Sequence, residues 1–208
     1  MTAKSSVFME TYQNYLHKIA KIDMDSRSEK LGGHIEGNQM IISFFGQPYK
    51  ISGRGIKDPS GKQPAIGISV VLCKYLLLCP EIPSLDKEWV SYRDFKDAAP
   101  LAGSFANNTE RTIAQNFSGR LDELDAACEN LGGWNPGLDL SYQLIIKLYP
   151  LPKVPVLLLF DDADEEFPAQ CKVLFERRAE HYLDPECLAI LGMLLSDFLN
   201  KAVPGDKL

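Results

Sequence analysis

The fold is decided by residues 142–160, which read YQLIIKLYPLPKVPVLLLF. The first half alternates between apolar and polar positions, whereas residues 156–160 are apolar without interruption. Alternation predicts a half-buried strand, and a short continuous apolar run is typical of a central strand buried on both faces. Residues 150–155 are the predicted connection between these two strands.

Two further segments carry strand patterns. Residues 171–176, CKVLFE, alternate again after the acidic loop 161–170, so the strands on either side of this loop are predicted to pair antiparallel. Earlier in the chain, apolar residues flank Gly46-Gln47 between residues 40 and 51, which predicts a β-hairpin. Residues 54–63 are polar and are predicted to form a loop.

Helical patterns surround these strands. Helical spacing predicts a first helix from about residue 8, and the almost wholly apolar residues 65–79 predict a buried helix. Asn108 or Thr109 is the predicted N-cap of another helix, and Asp184-Pro185 opens the final one. Because strands and helices do not alternate regularly, we predict an α+β fold with a mostly antiparallel sheet of about five to six strands.

The length of the chain fits one domain. We predict a single domain over residues 1–208, with a core at about residues 8–200 and a short polar tail at 203–208. No segment reaches the roughly 20 apolar residues of a membrane span, and the N-terminus lacks the apolar region of a signal peptide. The five cysteines form no C-x-x-C pair, so we expect free thiols and a soluble, cytoplasmic protein.

The charge of the chain bears on its partners. The net charge is -6 and the longest basic run is Arg177-Arg178. Nucleic-acid-binding domains usually carry a basic patch or stripe, and anionic membranes attract basic surfaces. We therefore expect neither nucleic acid nor a membrane among the partners.

The acidic loop contains the candidate metal ligands. Asp162, Asp164 and Glu166 have the spacing of the first three EF-hand ligands, but Phe167 and Val173 stand where an EF-hand needs a glycine and a bidentate glutamate. An EF-hand is therefore excluded. Two interpretations remain, a solvated hairpin loop and a loop that attracts a divalent cation, and the sequence indicates no other cofactor.

Arg93, Glu166 and His181 are the candidate catalytic residues. An arginine among apolar residues, such as Arg93, either pairs with a carboxylate for structural reasons or holds an anionic ligand. His181 stands just before the final helix, where it is either catalytic or an ordinary packing or surface residue. The P-loop, dinucleotide, nucleophile-elbow and zinc-helix motifs do not occur, so whether the chain is an enzyme stays open.

Six short motifs follow one another in a specific order. They are FFGQPYKI at 44–51, WVSYRDF at 89–95, LGG at 131–133, DEEFP at 164–168, VLFE at 173–176 and HYL at 181–183. In this order, over about residues 8–200, the chain resembles an uncharacterised bacterial domain family, domain of unknown function 3786.

The resemblance implies a cellular setting. Some relatives in that family resemble fusions with an iron–sulfur domain of the corrinoid-protein type, and many occur in anaerobes. The resemblance therefore implies a redox or corrinoid setting, and it makes the Arg93 segment and residues 164–168 the best candidates for a shared site. This chain lacks the four-cysteine motif of the fused domain, so no cluster is assigned to it.

Three functions are compatible with these observations. The first is a cytoplasmic binding or accessory module that serves an iron–sulfur or corrinoid protein in anaerobic metabolism. The second is an enzyme that combines a cation site in the acidic loop with Arg93. The third is a self-associating structural protein, in which residues 88–95 form an edge strand. The sequence does not specify the oligomeric state.

Overall fold

The computed structural model describes residues 3–203, and the predicted polar tail lies outside these residues from 204 onward. The helices are α1 (Ala3–Ile19), α2 (Met24–Leu31), α3 (Ile66–Leu77), α4 (Ala102–Phe105), α5 (Thr112–Phe117), α6 (Leu121–Asn130) and α7 (Pro185–Ala202). The strands are β1 (His34–Glu36), β2 (Gln39–Phe44), β3 (Gln47–Ser52), β4 (Gly55–Lys57), β5 (Trp89–Ser91), β6 (Leu144–Leu151), β7 (Val154–Asp161) and β8 (Gln170–Glu176). Short 3₁₀ turns cover Tyr92–Asp94, Ala99–Leu101 and Arg177–His181, and a π-helical turn covers Ala106–Arg111.

The first sheet is an antiparallel meander in the order β1-β2-β3-β4. It contains the predicted hairpin, in which Phe45 and Gly46 form a two-residue turn with φ of 47° and 75°. Positive φ at both turn residues matches the twist of the flanking strands but is unfavourable for phenylalanine. The N–H of Phe45 donates to the Pro150 carbonyl at 3.0 Å, and its ring stacks on Phe198 at 4.4 Å, so tertiary contacts offset that strain.

The second sheet has the order β5-β8-β7-β6, again with every neighbour antiparallel. Its central strand β7 is buried along nearly its whole length, which confirms the prediction from the apolar run. The predicted connection at 150–155 is wrong, because β6 continues to Leu151 and β7 begins at Val154. Pro150 has no N–H and interrupts the hydrogen-bond ladder, so the pairing shifts between Leu148 and Leu151 without ending the strand.

The α+β class and the antiparallel pairing are confirmed, but one sheet of five to six strands is wrong. The described residues form two sheets of four strands each. Strands β1 and β4 have three residues each, too few to show alternation, and β4 lies in the predicted loop 54–63. Strand β5 pairs with β8, which is more than 80 residues further along the chain.

The inner faces of the two sheets share one core with the long helices. Helix α3 is buried on several sides, as its apolar sequence predicts. Helix α7 begins at the predicted cap, where the carboxylate of Asp184 accepts the N–H of Cys187 at 2.9 Å. All five cysteines are free thiols. No helix among residues 3–203 is long and apolar enough to cross a membrane.

The helical backbone from α4 to α5 is continuous through the π-helical turn, so the predicted N-cap at Asn108 or Thr109 is wrong. Thr109 is instead buried against α7, where a Cβ on Gly192 would lie 2.7 Å from its hydroxyl oxygen. The Thr112 hydroxyl donates to the carbonyl of Asn107, five residues back, at 3.1 Å. The carbonyl of Asn107, in the π-helical turn, thus has a hydrogen-bond partner.

Candidate functional site

Arg93 lies in the 3₁₀ turn that directly follows the edge strand β5. The turn is closed by Ser91, whose N–H and hydroxyl both donate to the Asp94 carboxylate, at 3.0 Å and 2.6 Å. These hydrogen bonds lower the pKa of Asp94. Arg93 lines a cavity of about 460 Å³, and no hydrogen bond or ion pair joins its guanidinium to another described residue.

The helical stretch around the π-helical turn forms the opposite wall of this cavity. Gly103 and Ala106 leave the space open, and a Cβ on Gly103 would meet nothing within 4 Å. Tyr92 stacks on Phe105 with ring centres 4.4 Å apart, and its hydroxyl donates to the Pro185 carbonyl. Burial raises the pKa of Tyr92 to about 12, so this hydroxyl stays protonated. The stacked rings of Tyr92 and Phe105 therefore give the cavity an apolar, well-packed floor.

Glu110 connects the π-helical turn to the second sheet. Strand β5 ends at Ser91 opposite Leu174, so the next edge N–H of β8, that of Val173, has no strand partner. Glu110 takes that place and accepts this N–H at 3.1 Å. Its other oxygen lies 3.8 Å from the ammonium of Lys172. Arg93, Lys172 and Glu110 thus line one cavity, an arrangement that can bind a polar ligand, and none of its described lining residues is a histidine that could transfer a proton.

The carboxylates of the acidic loop face backbone amides. Asp162 accepts the N–H groups of Gly119 and Ala163, at 2.6 Å and 2.8 Å, and Asp164 accepts those of Glu166 and Phe167. These bonds define the shape of the connection between β7 and β8. In the described part of the chain, no group of three or more His, Cys, Asp or Glu side chains is placed to hold a metal ion.

The structure does not bring the sequence-predicted site residues together. Asp162 lines a separate cavity beside Gly119 and Arg120, whereas Arg93 lines the cavity at the end of β5. His181 ends the 3₁₀ turn before α7, is exposed, and lines neither cavity. Glu166 is exposed on the acidic loop. The catalytic and metal assignments therefore stay predictions.

Among the side chains whose exposure the structure describes, the most exposed large apolar ones lie in a segment that the sequence patterns did not single out. In residues 80–88, which we call the proline segment, Ile82 is 85% exposed and Leu85 is 83% exposed. The backbone is nevertheless anchored, because the carbonyls of Asp86 and Glu88 accept the N–H groups of Arg178 and Arg177 at 3.2 Å and 2.8 Å. In the sequence, Ile-Pro-Ser-Leu stands between charged residues. This pattern predicts a loop, but it does not show that Ile82 and Leu85 are exposed.

A family model for the domain of unknown function DUF3786 matches residues 23–198. The chain belongs to the DUF3786 family. The DUF3786 match begins at the N-cap of α2 and ends within α7, so both sheets, the Arg93 cavity and the proline segment lie inside it. No curated protein and no solved structure matches the chain.

Proposed function

We propose that this DUF3786 chain is a binding module that docks onto another protein, and that the proline segment makes the contact. The observation that supports this is the exposure of Ile82 and Leu85 on an anchored backbone. Burying one such side chain at an interface contributes about 1.5–3 kcal/mol. Two neighbouring anchors are therefore sufficient for a hot spot, in which few residues supply most of the affinity.

The anchoring of the proline segment favours binding in a second way. Pro80 and Pro83 restrict the backbone, and the side chain of Glu88 pairs with Arg177 at 2.6 Å. A segment that is already ordered loses less conformational entropy when it binds. In the proposed complex the segment therefore inserts Ile82 and Leu85 into a preformed cleft of the partner.

The charge of the segment favours a partner with basic residues. The segment carries three carboxylates against one lysine, Lys87. Glu81 is almost fully exposed although it contacts Lys30 at 3.3 Å, and Asp86 forms no ion pair with a described residue. An apolar cleft with lysine or arginine at its rim would complement this pattern. The resemblance to fused relatives supports a partner that carries an iron–sulfur cluster or a corrinoid, in the cytoplasm of an anaerobic bacterium.

The test is an anaerobic pull-down in which metal content is the readout. The wild-type chain and the double variant Ile82→Ser/Leu85→Ser are immobilised, and eluted proteins are assayed for iron and cobalt. Leu140→Ser is the matched control, because it removes an exposed apolar side chain from another loop. We expect the same iron- or cobalt-containing protein with wild type and Leu140→Ser, and none with the double variant. Equal capture by all three, or capture without metal, contradicts the proposal.

The other two functions receive less support. An enzyme that combines Arg93 with a cation in the acidic loop needs the two to meet, whereas Arg93 and Asp162 line different cavities. Self-association through β5 uses the free side of an edge strand, but Asp94 already accepts the N–H of Ser91 there. Both features weigh against these alternatives.

A further inference from the structure

A polar cleft lies between α1 and one end of the first sheet, far from the proline segment in sequence. Two adjoining cavities of about 430 Å³ and 500 Å³ share Gln39, Ser52 and Arg54 as lining residues. Together they form what we call the meander cleft. Volumes of 300–1,000 Å³ are typical of small-molecule sites.

The turn between β3 and β4 positions Arg54 in this cleft. The hydroxyl of Ser52 accepts the Arg54 N–H at 3.2 Å and lies 3.3 Å from the Gly55 carbonyl, to which it donates. The turn is pressed against the end of α1, because a Cβ on Gly53 would lie 2.6 Å from the Cβ of Ala20. The backbone that carries Arg54 is therefore held in place by packing as well as hydrogen bonds.

Helix α1 and strand β4 form the other wall, joined by Tyr12. Its hydroxyl accepts the N–H of Ile56 at 3.2 Å, and burial raises the pKa of Tyr12. The neighbouring residue Lys57 lines the same cavity of about 430 Å³ as Arg54. No ion pair joins either cation to another described residue. This leaves two positive charges available at one fixed site.

The remaining lining of the meander cleft is uncharged and combines polar side chains with the apolar Leu16, Ala20 and Ile56. Gln13, Gln39 and Gln63 contribute side-chain amides, and neither cavity has an aspartate or glutamate among its described lining residues. The Arg93 cavity differs, because Glu110 shares it. An anion entering the meander cleft therefore meets donors without a competing carboxylate.

The distribution of charge along the chain supports an anion at this end. Residues 1–63 contain nine Lys and Arg against six Asp and Glu, whereas residues 64–208 contain thirteen against twenty-two. Lys50 and Lys57 also lie directly opposite each other on β3 and β4, and the charge of Lys50 is partly met by Glu36 at 3.5 Å. A positive region in an acidic chain attracts anions selectively to this cleft.

We propose that the meander cleft binds a small phosphorylated metabolite with a hydroxylated body, of the sugar-phosphate class. Arg54 and Lys57 together match the charge of about -2 on a phosphate ester. The glutamine amides donate to and accept from hydroxyl groups, which suits a sugar. The only aromatic lining residue, Tyr12, is buried, so a nucleotide base finds no exposed ring in the described lining on which to stack.

Isothermal titration calorimetry of the full chain tests this assignment with glucose 6-phosphate, glucose, inorganic phosphate and citrate as probes. We expect glucose 6-phosphate to bind most tightly, and Arg54→Gln to weaken it by about tenfold or more, since a charged hydrogen-bonding partner is lost. Lys62→Gln is the matched control, because it removes a nearby charge outside the lining. The Ile82→Ser/Leu85→Ser variant should bind as wild type, which separates this site from the proposed docking segment.

Three results would overturn the proposal. The first is that no probe binds at millimolar concentrations. The second is that citrate or inorganic phosphate binds more tightly than glucose 6-phosphate. The third is that Arg54→Gln and Lys62→Gln weaken binding equally. If Arg54→Gln unfolds, amide hydrogen exchange of the wild-type chain decides instead, because bound glucose 6-phosphate should slow exchange at residues 52–57, and unchanged exchange there contradicts the assignment.

Discussion

The two sheets cover the same core with their inner faces, but their outer faces differ in chemistry. On the first sheet, one row across the four strands consists of His34, Ile41, Lys50 and Lys57. On the second sheet, Ile145, Leu157 and Leu159 form a separate apolar cluster, although they point away from the main core. The antiparallel first sheet can expose its outer face to water. The apolar outer face of the second sheet is instead partly covered by the side chains of Trp89, Tyr142 and Leu174.

The ion pairs on the two outer faces differ in the same way. On the second sheet, Glu176 is only 2% exposed and lies between Lys147 and Arg178, at 3.3 Å and 2.5 Å. On the first sheet, Glu36 pairs with Lys50 and His34 while more than half exposed. Water screens the exposed pairs, so only the buried cluster is expected to affect stability strongly.

The largest expected effect tests whether the two sheets share one core. Phe44→Ala, on the inner face of the first sheet, should lower the free energy of unfolding by about 3–5 kcal/mol. Trp89 and Trp134 both lie at the second sheet, so tryptophan fluorescence reports on that sheet while circular dichroism reports on the whole chain. In urea unfolding, we expect both signals to shift together. Phe167→Ala, in an exposed loop, should leave both unchanged, and a shift in circular dichroism alone would show that the sheets unfold separately.

A smaller effect is expected from neutralising one carboxylate on each outer face. Glu176→Gln leaves Lys147 and Arg178 without their shared anion and should destabilise the chain by about 3 kcal/mol. Glu36→Gln makes the same chemical change on the first sheet and should leave the urea midpoint unchanged. If the two variants lose similar stability, burial does not distinguish the two faces in the way described.

The smallest expected effect concerns acid. Burial acts to raise the pKa of Asp184, but hydrogen bonds from Lys74, at 2.5 Å, and from Cys187 outweigh it, so the pKa is lowered. A lowered pKa contributes stability that is present above the unfolded value, about 3.9, and is lost as pH falls through the folded value. Below about pH 4, the stability of Asp184→Asn should therefore fall less steeply with decreasing pH than that of the wild-type chain.

Asp58 is the control for this acid effect. Its pKa is also lowered, mainly by the Ser60 hydroxyl, but it lies in the exposed loop after the first sheet. Thermal melts between pH 2 and pH 7 should depart less from the wild-type profile for Asp58→Asn than for Asp184→Asn, because water screens the interactions of the exposed Asp58 carboxylate. A flat wild-type profile, or a larger change in Asp58→Asn than in Asp184→Asn, contradicts the assignment.

Local patterns predicted the parts of the fold that depend on local chemistry. The apolar run in β7, the hairpin around Gly46 and the cap at Asp184 each follow from a few adjacent residues. The number of sheets does not follow in this way, because periodicity identifies the buried face of a strand but not the strand with which it pairs. The pairing of β5 with β8 depends on contacts across most of the second half of the chain.

The same limit applies to the candidate sites. Arg93 could be chosen from its neighbours, but its cavity exists because β5 is short and a π-helical turn lies opposite. Arg54 stood in a polar loop, and its two adjoining cavities arise from α1 packing on the turn. The lower acidity of residues 1–63 was a signal in the sequence that could have drawn attention to it.

The π-helical turn makes the Arg93 cavity depend on chain length as well as on residue identity. A π turn holds one more residue than an α turn, and each residue of an α-helix advances the chain by about 100° around the axis. Deleting one of residues 107–109 would restore a regular helix and rotate Glu110 away from the N–H of Val173. A single-codon deletion could therefore remodel this cavity while every side chain that lines it kept its identity.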